Sequence, residues 1–252
     1  MNGESASSGP AFALWRPEGL YAAIGLAQDP NQELDVDTLR RDGAGLIRRQ
    51  SGGGSVILCP GILCWEAWAT LAEVAGSFAG GADPGIRQAY ACLSRPVSEG
   101  LKRLGVWVFP AGICDISITS DNGGEARKMA GMAQLRRRDR VLVHGSILVD
   151  PDLGLLTRYL KIPSEQPEYR RGRSHRDFCL SVAEKLRQDS ARGEALIARL
   201  AGAIADSASV LGWVMLAPPP QLESAAAELE NGKYRSEAWN WERKRDLEIR
   251  EF

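Results

Sequence analysis

The chain lacks the bulk features that draw a protein to nucleic acid, to a membrane or to the secretory route. Its 31 Lys and Arg residues face 32 Asp and Glu residues, so the formal net charge is -1 and predicts no polyanionic partner. No apolar run approaches the roughly 20 residues that span a bilayer. The N-terminus, MNGESASSGP, has neither the basic start nor the apolar core of a secretory signal. We therefore expect a cytoplasmic protein without a nucleic-acid or membrane partner.

Cysteine is also sparse and irregularly placed. The number of cysteines, 5, is odd, no pair has CxxC spacing, and no histidine lies close to Cys59 or Cys64 in sequence. This pattern predicts neither structural disulfides nor a zinc site. The residues are Cys59, Cys64, Cys92, Cys114 and Cys179.

A glycine run, RRQSGGGSVIL at 48–58, is the first feature that suggests chemistry. A flexible linker would lie in polar sequence, but apolar, strand-like segments flank this run on both sides. Consecutive glycines allow positive φ or a close approach of the backbone, and Arg48 and Arg49 precede them directly. The run is therefore either a site for an anionic group or a solvent-exposed hairpin loop beside two solvated arginines.

A second stretch places a lysine among small residues. GICDISI (112–118) alternates like a strand, RKMAGMAQ (127–134) is strand or loop, and RVLVHGSILVD (140–150) alternates again. Lys128 therefore lies between two β-elements, beside Ala130, Gly131 and Ala133. The small neighbours suit a cation that reaches a ligand, although a solvated edge-strand lysine has the same pattern.

Helical periodicity is clear in residues 83–104, and Pro96 interrupts it. The proline predicts a kink or a division into two helices, with an end near Gly105. The apolar positions are Ile86, Tyr90, Leu93, Val97, Leu101 and Leu104.

Three motifs together resemble a known family. RRQSGGGSV, then RKMAGMAQ, then VLVHGSILVD occur in the order and spacing of lipoate–protein ligase A and its octanoyltransferase relatives, the biotin/lipoate A/B protein ligase catalytic domains. Residues 12–35, the run RYLKIPSEQPEYRRGRSHRDF (158–178) and KYRSEAWNWERKR near the end are also similar. The resemblance spans roughly residues 12–240.

The resemblance implies an α+β fold, with a mixed, largely antiparallel β-sheet flanked by helices. We expect a disordered tail at 1–11, a catalytic domain at 12–215 and a helical C-terminal extension at 216–252. The family has a strand and a helix ahead of the W-x-P segment, and here only a short polar stretch precedes it. Another chain or a repacked C-terminus is therefore expected to cover that part of the sheet.

The implied activity is ATP-dependent. Such an enzyme activates lipoate or octanoate to the acyl-AMP with ATP and Mg²⁺, then transfers the acyl group to a lysine of a lipoyl-domain acceptor such as an E2 subunit or an H-protein. A small accessory subunit is a further possible partner. Lys128 matches the family's essential lysine, whose ammonium would stabilise negative charge in the transition state.

The resemblance also implies a set of binding residues. Arg49 and the backbone of the glycine run would hold the phosphate, and Asp115 would contribute to Mg²⁺. Gly131 and Ala133 would leave room for the acyl chain and adenine. The residues implied to bind ATP or the acyl-AMP are Arg49, Ser51, Gly52, Gly53, Gly54, Ser55, Val56, Ile57, Asp115, Gly131, Ala133, His144 and Gly145.

One departure from the family keeps other activities open. Cys114 stands where many ligases have asparagine, and a thiol replaces that amide poorly. The octanoyltransferases of the family work through a cysteine thioester without ATP, and their cysteine positions correspond to 104–111 or 145–178, which contain none. An ATP-independent transferase and a non-catalytic acyl-binding protein remain the alternatives. A biotin ligase is disfavoured because its GRGR-type loop is missing.

Two arginine-rich runs complete the sequence features. RRRDR (136–140) is either a solvated turn or a docking patch for an acidic acceptor domain, and YRRGRSHR (169–176) adds four more arginines nearby in sequence. Aromatic residues are scarce between these charges, which disfavours single-stranded nucleic acid as the partner.

Overall fold

A computed structural model describes residues 9–78, 84–119, 123–163, 165–187, 191–216 and 220–243. The strands are β1 (Ala11–Trp15), β2 (Tyr21–Ile24), β3 (Gly45–Arg48), β4 (Val56–Leu58), β5 (Ile62–Thr70), β6 (Phe109–Ala111), β7 (Asp115–Thr119), β8 (Ala126–Arg137), β9 (Arg140–Leu148) and β10 (Val214–Met215). The helices are α1 (Pro30–Glu33), α2 (Val36–Arg41), α3 (Leu71–Gly76), α4 (Ile86–Leu93), α5 (Arg95–Arg103), α6 (Gly154–Tyr159), α7 (His175–Phe178), α8 (Val182–Lys185), α9 (Gly193–Val210), α10 (Pro220–Leu229) and α11 (Glu237–Glu242).

The main sheet has seven strands in the order β10-β1-β5-β9-β8-β7-β6. Its centre is the antiparallel ladder β5-β9-β8-β7, and β10 joins the edge in parallel with β1. The alternating segment RVLVHGSIL forms β9, and RKMAGMAQ, left between strand and loop by its sequence, lies within the 12-residue strand β8. Helices pack against this sheet, so the predicted α+β class is confirmed.

The small sheet, β3-β2-β4, changes the reading of the glycine run. Both flanking segments are strands, as predicted, but each pairs with β2 and they do not pair with each other. The run is therefore not a hairpin loop: it passes over the end of β2 to connect the two outer strands. This route brings the run across to β8 of the main sheet, where Gly53 faces Ala133.

Pro96 divides the predicted helix as expected. α4 ends at Leu93 and α5 begins at Arg95, so the proline falls in the first turn of the second helix, where its missing N–H is tolerated. Gly105, with φ of 80°, follows the end of α5. Gly100 lets α5 approach α9 closely, because a Cβ there would lie 2.5 Å from Cγ1 of Ile204.

The C-terminal helix α11 packs on β3, directly beside the glycine run. The buried Arg48 guanidinium donates to carbonyl oxygens of α11 (Trp239) and of the loop after β2 (Leu26, Gln28). In return, Asn240 accepts from the Arg48 backbone N–H at 2.9 Å. Residues 216–252, expected as an extension, therefore supply a helix that touches the strand leading into the candidate site.

Three smaller expectations concern the N-terminal tail, disulfide bonds and membrane-spanning segments. Most of the predicted tail at 1–11 lies outside the described residues, and Ala11 already pairs in β1. All five cysteines are free thiols that form no disulfide bond. No helix in the described ranges is long and apolar enough to cross a membrane.

Candidate active site

The glycine run is held in place by its own arginine. Arg49 Nη2 donates to the carbonyl oxygens of Gly52 and Gly54 at 2.8 and 2.7 Å. Gly53 has φ of 89°, a conformation that favours glycine. A Cβ on Gly52 or Gly54 would meet no atom within 4 Å, so both residues border open space. A ligand can therefore approach bare backbone at these two positions.

A serine–histidine pair lies beneath this run. Ser51 Oγ lies 2.7 Å from Nε2 of His144 on β9, and it also accepts a hydrogen bond from Arg49 Nε at 3.1 Å. Burial and the nearby Arg49 charge lower the pKa of His144 to about 4. His144 is therefore neutral near pH 7, and the Ser51 hydroxyl can donate to it. The pair links the glycine run to the main sheet.

A lysine–carboxylate pair marks the centre of the site. Lys128 Nζ on β8 lies 2.7 Å from Oδ1 of Asp115 on β7. Burial is the largest single influence on the pKa of Lys128 and lowers it. The charge and hydrogen bond of Asp115, together with the nearby Cys114 and Cys179, outweigh burial, so the pKa lies above its ordinary value. Lys128 is therefore protonated at neutral pH. Its side chain is 27% exposed, which leaves the ammonium within reach of a ligand.

Tyr169 completes this arrangement from the YRRGRSHR run. Its hydroxyl donates to Asp115 Oδ2 at 2.7 Å and lies 3.1 Å from Ser117 Oγ. Its ring packs on Phe178, with centroids 5.0 Å apart. Burial and the Asp115 charge raise the pKa of Tyr169, so it remains a donor. Asp115 thus has one oxygen on Lys128 and the other on Tyr169.

Two glycines make this close packing possible. A Cβ on Gly131 would lie 2.8 Å from Lys128 Nζ, and one on Gly145 would lie 2.6 Å from the Gly131 carbonyl oxygen. The space that Gly131 leaves is filled by the Lys128 side chain, where room for the acyl chain and adenine was expected. The glycine therefore positions the ammonium.

Two thiols lie close enough to Lys128 to interact with its charge. Cys114 precedes Asp115 and is half-buried, and Cys179 is buried where the chain after α7 runs beside Lys128. Burial raises the pKa of both thiols, so both are neutral at rest. Cys179 lies one residue beyond 145–178, one of the two ranges to which the cysteine of the octanoyltransferase relatives corresponds.

The other expected binding residues take different places. Gly145 and Ala133 lie under the site on β9 and β8. Ser55 Oγ donates to Gln28 Oε1 at 3.1 Å, beside the glycine run. Ile57 points into the hydrophobic core at 2% exposure, and its neighbour Val56 is partly exposed. Ile57, on the strand that follows the glycine run, therefore contributes to core packing.

The donor set at Asp115 does not fit a resident Mg²⁺. Both carboxylate oxygens are already engaged, by Lys128 and Tyr169. In the described parts of the chain, no group of three or more His, Cys, Asp or Glu side chains could hold a metal ion. Asp115 is placed to orient Lys128.

Sequence reasoning missed three contributors besides Cys179. Tyr169 reaches Asp115 from a distant loop, Gln28 Oε1 accepts from Gly25 N at 2.7 Å beside the glycine run, and Arg48 joins the run to α11. Their motifs were visible, since Tyr169 lies in YRRGRSHR and Arg48 in RRQSGGG. Their roles depend on contacts between remote segments, which no local pattern contains.

Comparison with known proteins places this geometry in a family. The family model described as the lipoyl protein ligase A/B catalytic domain matches residues 3–204. The chain belongs to this family. Its members by name include both ligases and octanoyltransferases.

Two curated octanoyltransferases of the family align along most of the chain. Octanoyltransferase LipM of Symbiobacterium thermophilum is 31% identical, covering 91% of this chain and 85% of the relative. The LipM of Geobacillus kaustophilus is 27% identical, covering 92% and 86%. Lipoate-protein ligase A of Blochmanniella pennsylvanica is 28% identical, and that alignment covers 68% of this chain and 50% of the ligase.

Solved structures agree on the fold. An archaeal lipoylation system, a bi-partite lipoate protein ligase and its E2 lipoyl domain from Thermoplasma acidophilum, matches at 25% identity with a TM-score of 0.75, covering 95% of this chain and 87% of that one. A lipoate-protein ligase A bound with ATP matches at 24% identity with a TM-score of 0.70, covering 92% and 85%. The predicted biotin/lipoate ligase-like fold is thereby confirmed.

Proposed function

We propose that this protein is an ATP-dependent lipoate–protein ligase, which forms an amide between lipoate or octanoate and a lysine of a lipoyl-domain acceptor. The observation that carries the proposal is the protonated Lys128, which is held by Asp115 and has a side chain that is 27% exposed. Burial raises the pKa of Cys114, and Lys128 and Arg49, the arginine that holds the glycine run, both lie close enough to this thiol to oppose that rise. An ammonium at this place serves reactions in which negative charge develops on carboxylate, phosphate or acyl oxygens.

The proposed chemistry has two steps. A carboxylate oxygen of the acid attacks the α-phosphorus of ATP and pyrophosphate leaves, giving the acyl-AMP. The acceptor lysine amine then attacks the acyl carbonyl and AMP leaves. In both steps Lys128 offsets the charge on the reacting oxygens, and the bare backbone at Gly52 and Gly54 lies open to the phosphate. Neither step needs a thiolate, which agrees with the raised pKa of Cys114 and of Cys179.

The partner follows from the same chemistry. The acceptor must present an exposed lysine on a small folded domain. The solved relative from Thermoplasma acidophilum, described together with its E2 lipoyl domain, supports an acceptor of this kind. That relative is also described as bi-partite, which supports a test for an accessory subunit.

ATP-independent octanoyl or lipoyl transfer is the second candidate. It is favoured by the two thiols beside Lys128 and by the octanoyltransferase names of the full-length relatives. In that reaction a cysteine would take the acyl group from a carrier thioester and pass it to the acceptor lysine. Its difficulty is that burial keeps both thiols neutral and that Lys128 is already protonated, so the lysine cannot accept their proton at rest.

The deciding experiment follows acyl transfer to a purified E2 lipoyl domain by intact mass. One reaction contains lipoate with Mg–ATP, and the other contains an octanoyl carrier protein without ATP. We expect a lipoyl mass increment in the first reaction that disappears without ATP. Transfer from the carrier without ATP would instead favour the second candidate, and no increment in either reaction would contradict both.

Variants connect the result to residues. Lys128→Ala should reduce transfer by about 100-fold or more, the usual effect of removing a group that stabilises transition-state charge. Lys102→Ala, on the surface of α5, is the matched control and should retain activity. Cys114→Ser and Cys179→Ser should also retain ligation, whereas loss in either one would point to a thioester. A folded Lys128→Ala variant with full activity would refute the central role of this lysine.

A further inference from the structure

The β8–β9 hairpin ends in arginines that the proposed chemistry does not use. Its turn, Arg138 and Asp139, joins Arg137 at the end of β8 to Arg140 at the start of β9. The three arginines are exposed, and within the ranges the structure describes none of their side chains forms an ion pair or a hydrogen bond. Asp139 contributes one negative charge against three positive ones. The tip is therefore a compact basic surface on a protein of net charge -1.

Two features of this tip are unfavourable for the protein on its own. Arg138 has φ of 54°, in the left-handed region that turns normally assign to glycine, asparagine or aspartate. Arg137 and Arg140 lie directly opposite each other, and like charges opposite on paired strands repel. Arg171 has a similar φ of 52°, but its side chain is paired with Glu125 at 3.1 Å. The hairpin tip has no such compensation.

The tip is nevertheless held firmly. Leu71 N, at the start of α3, donates to the Asp139 carbonyl oxygen at 2.7 Å. The acidic residue of that helix turn, Glu73, is occupied by Thr70, whose backbone N–H and hydroxyl donate to Oε2 at 2.7 and 2.9 Å. The arginines are thus presented on a fixed backbone, and the Glu73 carboxylate serves the helix cap.

We propose that this tip, residues 137–140, is the docking surface for an acidic face of the protein domain that carries the acceptor lysine. The proposal rests on the proposed function for the identity of that domain. A negatively charged partner would offset both the like-charge pair and the unusual arginine turn. Because these charges are exposed, they would act mainly on encounter and orientation, and their effect would weaken with salt.

The distances allow one small domain to reach both places. Lys128, at the centre of the site, precedes Arg137 by nine residues on β8, or about 31 Å at roughly 3.4 Å per residue. A domain of about 100 residues has a radius of gyration of roughly 13 Å, so it is roughly 34 Å across. Such a domain can place its lysine in the site while its flank contacts the hairpin tip.

The test measures binding without chemistry. The intact protein and a variant with Arg137→Gln, Arg138→Gly and Arg140→Gln are titrated calorimetrically with an unmodified, acidic E2 lipoyl domain, without ATP or acyl donor. We expect the Kd to rise about tenfold in the variant and to lose most of its salt dependence. The Tm of the free protein should stay equal or rise, because the turn conformation and the charge pair are both relieved. Arg95→Gln with Arg103→Gln, on α5, is the control and should leave the Kd unchanged.

The outcomes separate this proposal from the function on which it rests. An unchanged Kd and salt dependence would overturn the docking surface even if ligation is observed. A higher Kd together with an unchanged or raised Tm would support the docking surface even if the mass assay shows no ligation. A lowered Tm would assign the arginines to fold stability and overturn it. Tighter binding of a single-stranded RNA oligonucleotide, lost in the same variant, would overturn the choice of a protein partner.

Discussion

At the scale of single residues, the site depends on how charges are balanced by burial. Lys128 keeps its charge in a largely enclosed position because Asp115 lies 2.7 Å away, and Asp115 in turn is oriented by Tyr169. Among the residues that the structure describes, no carboxylate forms an ion pair with His144, and burial and Arg49 keep it neutral. Of these two basic groups on adjacent strands, Lys128 is thus charged and His144 is neutral near pH 7.

Removing the Asp115 charge should move the alkaline limit of activity. In Asp115→Asn, burial still disfavours the Lys128 ammonium while the opposing carboxylate is gone, so the pKa of Lys128 falls. We expect the alkaline limb of the pH profile of kcat/KM to shift to lower pH. Tyr169→Phe, which leaves the carboxylate in place, is the comparison. An unchanged alkaline limb in Asp115→Asn would show that deprotonation of Lys128 does not set the alkaline limit of activity.

His144 should make the fold sensitive to acid. Its pKa is about 4 in the folded protein against an ordinary 6.5. Between these pH values the imidazole is protonated in the unfolded chain and neutral in the folded one. The free energy of unfolding therefore falls as the pH drops from about 6.5 toward 4, by up to about 3 kcal/mol from this group. In His144→Gln that contribution disappears. Urea unfolding at pH 7 and pH 4.5 should show a smaller loss in the variant, and an equal loss in both proteins would contradict the assignment.

At the scale of elements, the site is assembled where two sheets meet. The glycine run belongs to the small sheet and the reacting side chains belong to the main one, and the Ser51–His144 hydrogen bond of 2.7 Å joins them. On its other side, the strand that leads into the run is fixed to α11 through Arg48. The position of the run therefore depends on a helix far along the chain, since Arg48 and Trp239 are separated by 191 residues.

The contact between α11 and β3 should be measurable in stability. Asn240→Ala removes the acceptor of the Arg48 backbone N–H and leaves that buried donor unsatisfied. We expect the free energy of unfolding to fall by about 1–3 kcal/mol. Asn31→Ala, an exposed asparagine at the start of α1, should change it little. Urea denaturation of both variants checks this, and equal stability of the two would show that α11 contributes little at this contact.

At the scale of the whole molecule, charge is balanced overall and divided locally. The net charge of -1 gives no long-range preference for a partner, yet the hairpin tip gathers three exposed arginines near the open side of the site. The same chain binds its own C-terminal helix through another arginine, buried among carbonyl groups. Arginine thus has three separate uses here: Arg48 fixes the fold, Arg49 shapes the glycine run, and the hairpin arginines face outward.

The sequence by itself determined the family and the fold class, and it singled out Lys128 as the candidate central lysine. Alternating apolar residues mark a strand wherever one face is buried, and the run of glycines records a backbone that must approach something closely. These are local constraints, so Arg49, Gly53 and Lys128 could be singled out from their immediate neighbours. The division of the helix at Pro96 followed for the same reason.

Only the tertiary structure decided how these residues meet. Tyr169 on Asp115, Cys179 beside Lys128 and Asn240 on Arg48 are contacts between segments far apart in the chain, which depend on strand order and register. It also decided that the space at Gly131 holds the Lys128 side chain and that Ile57 lies in the core. The sequence states which chemical groups are present, but their charge states and partners arise from burial, and burial exists only once the sheets have packed.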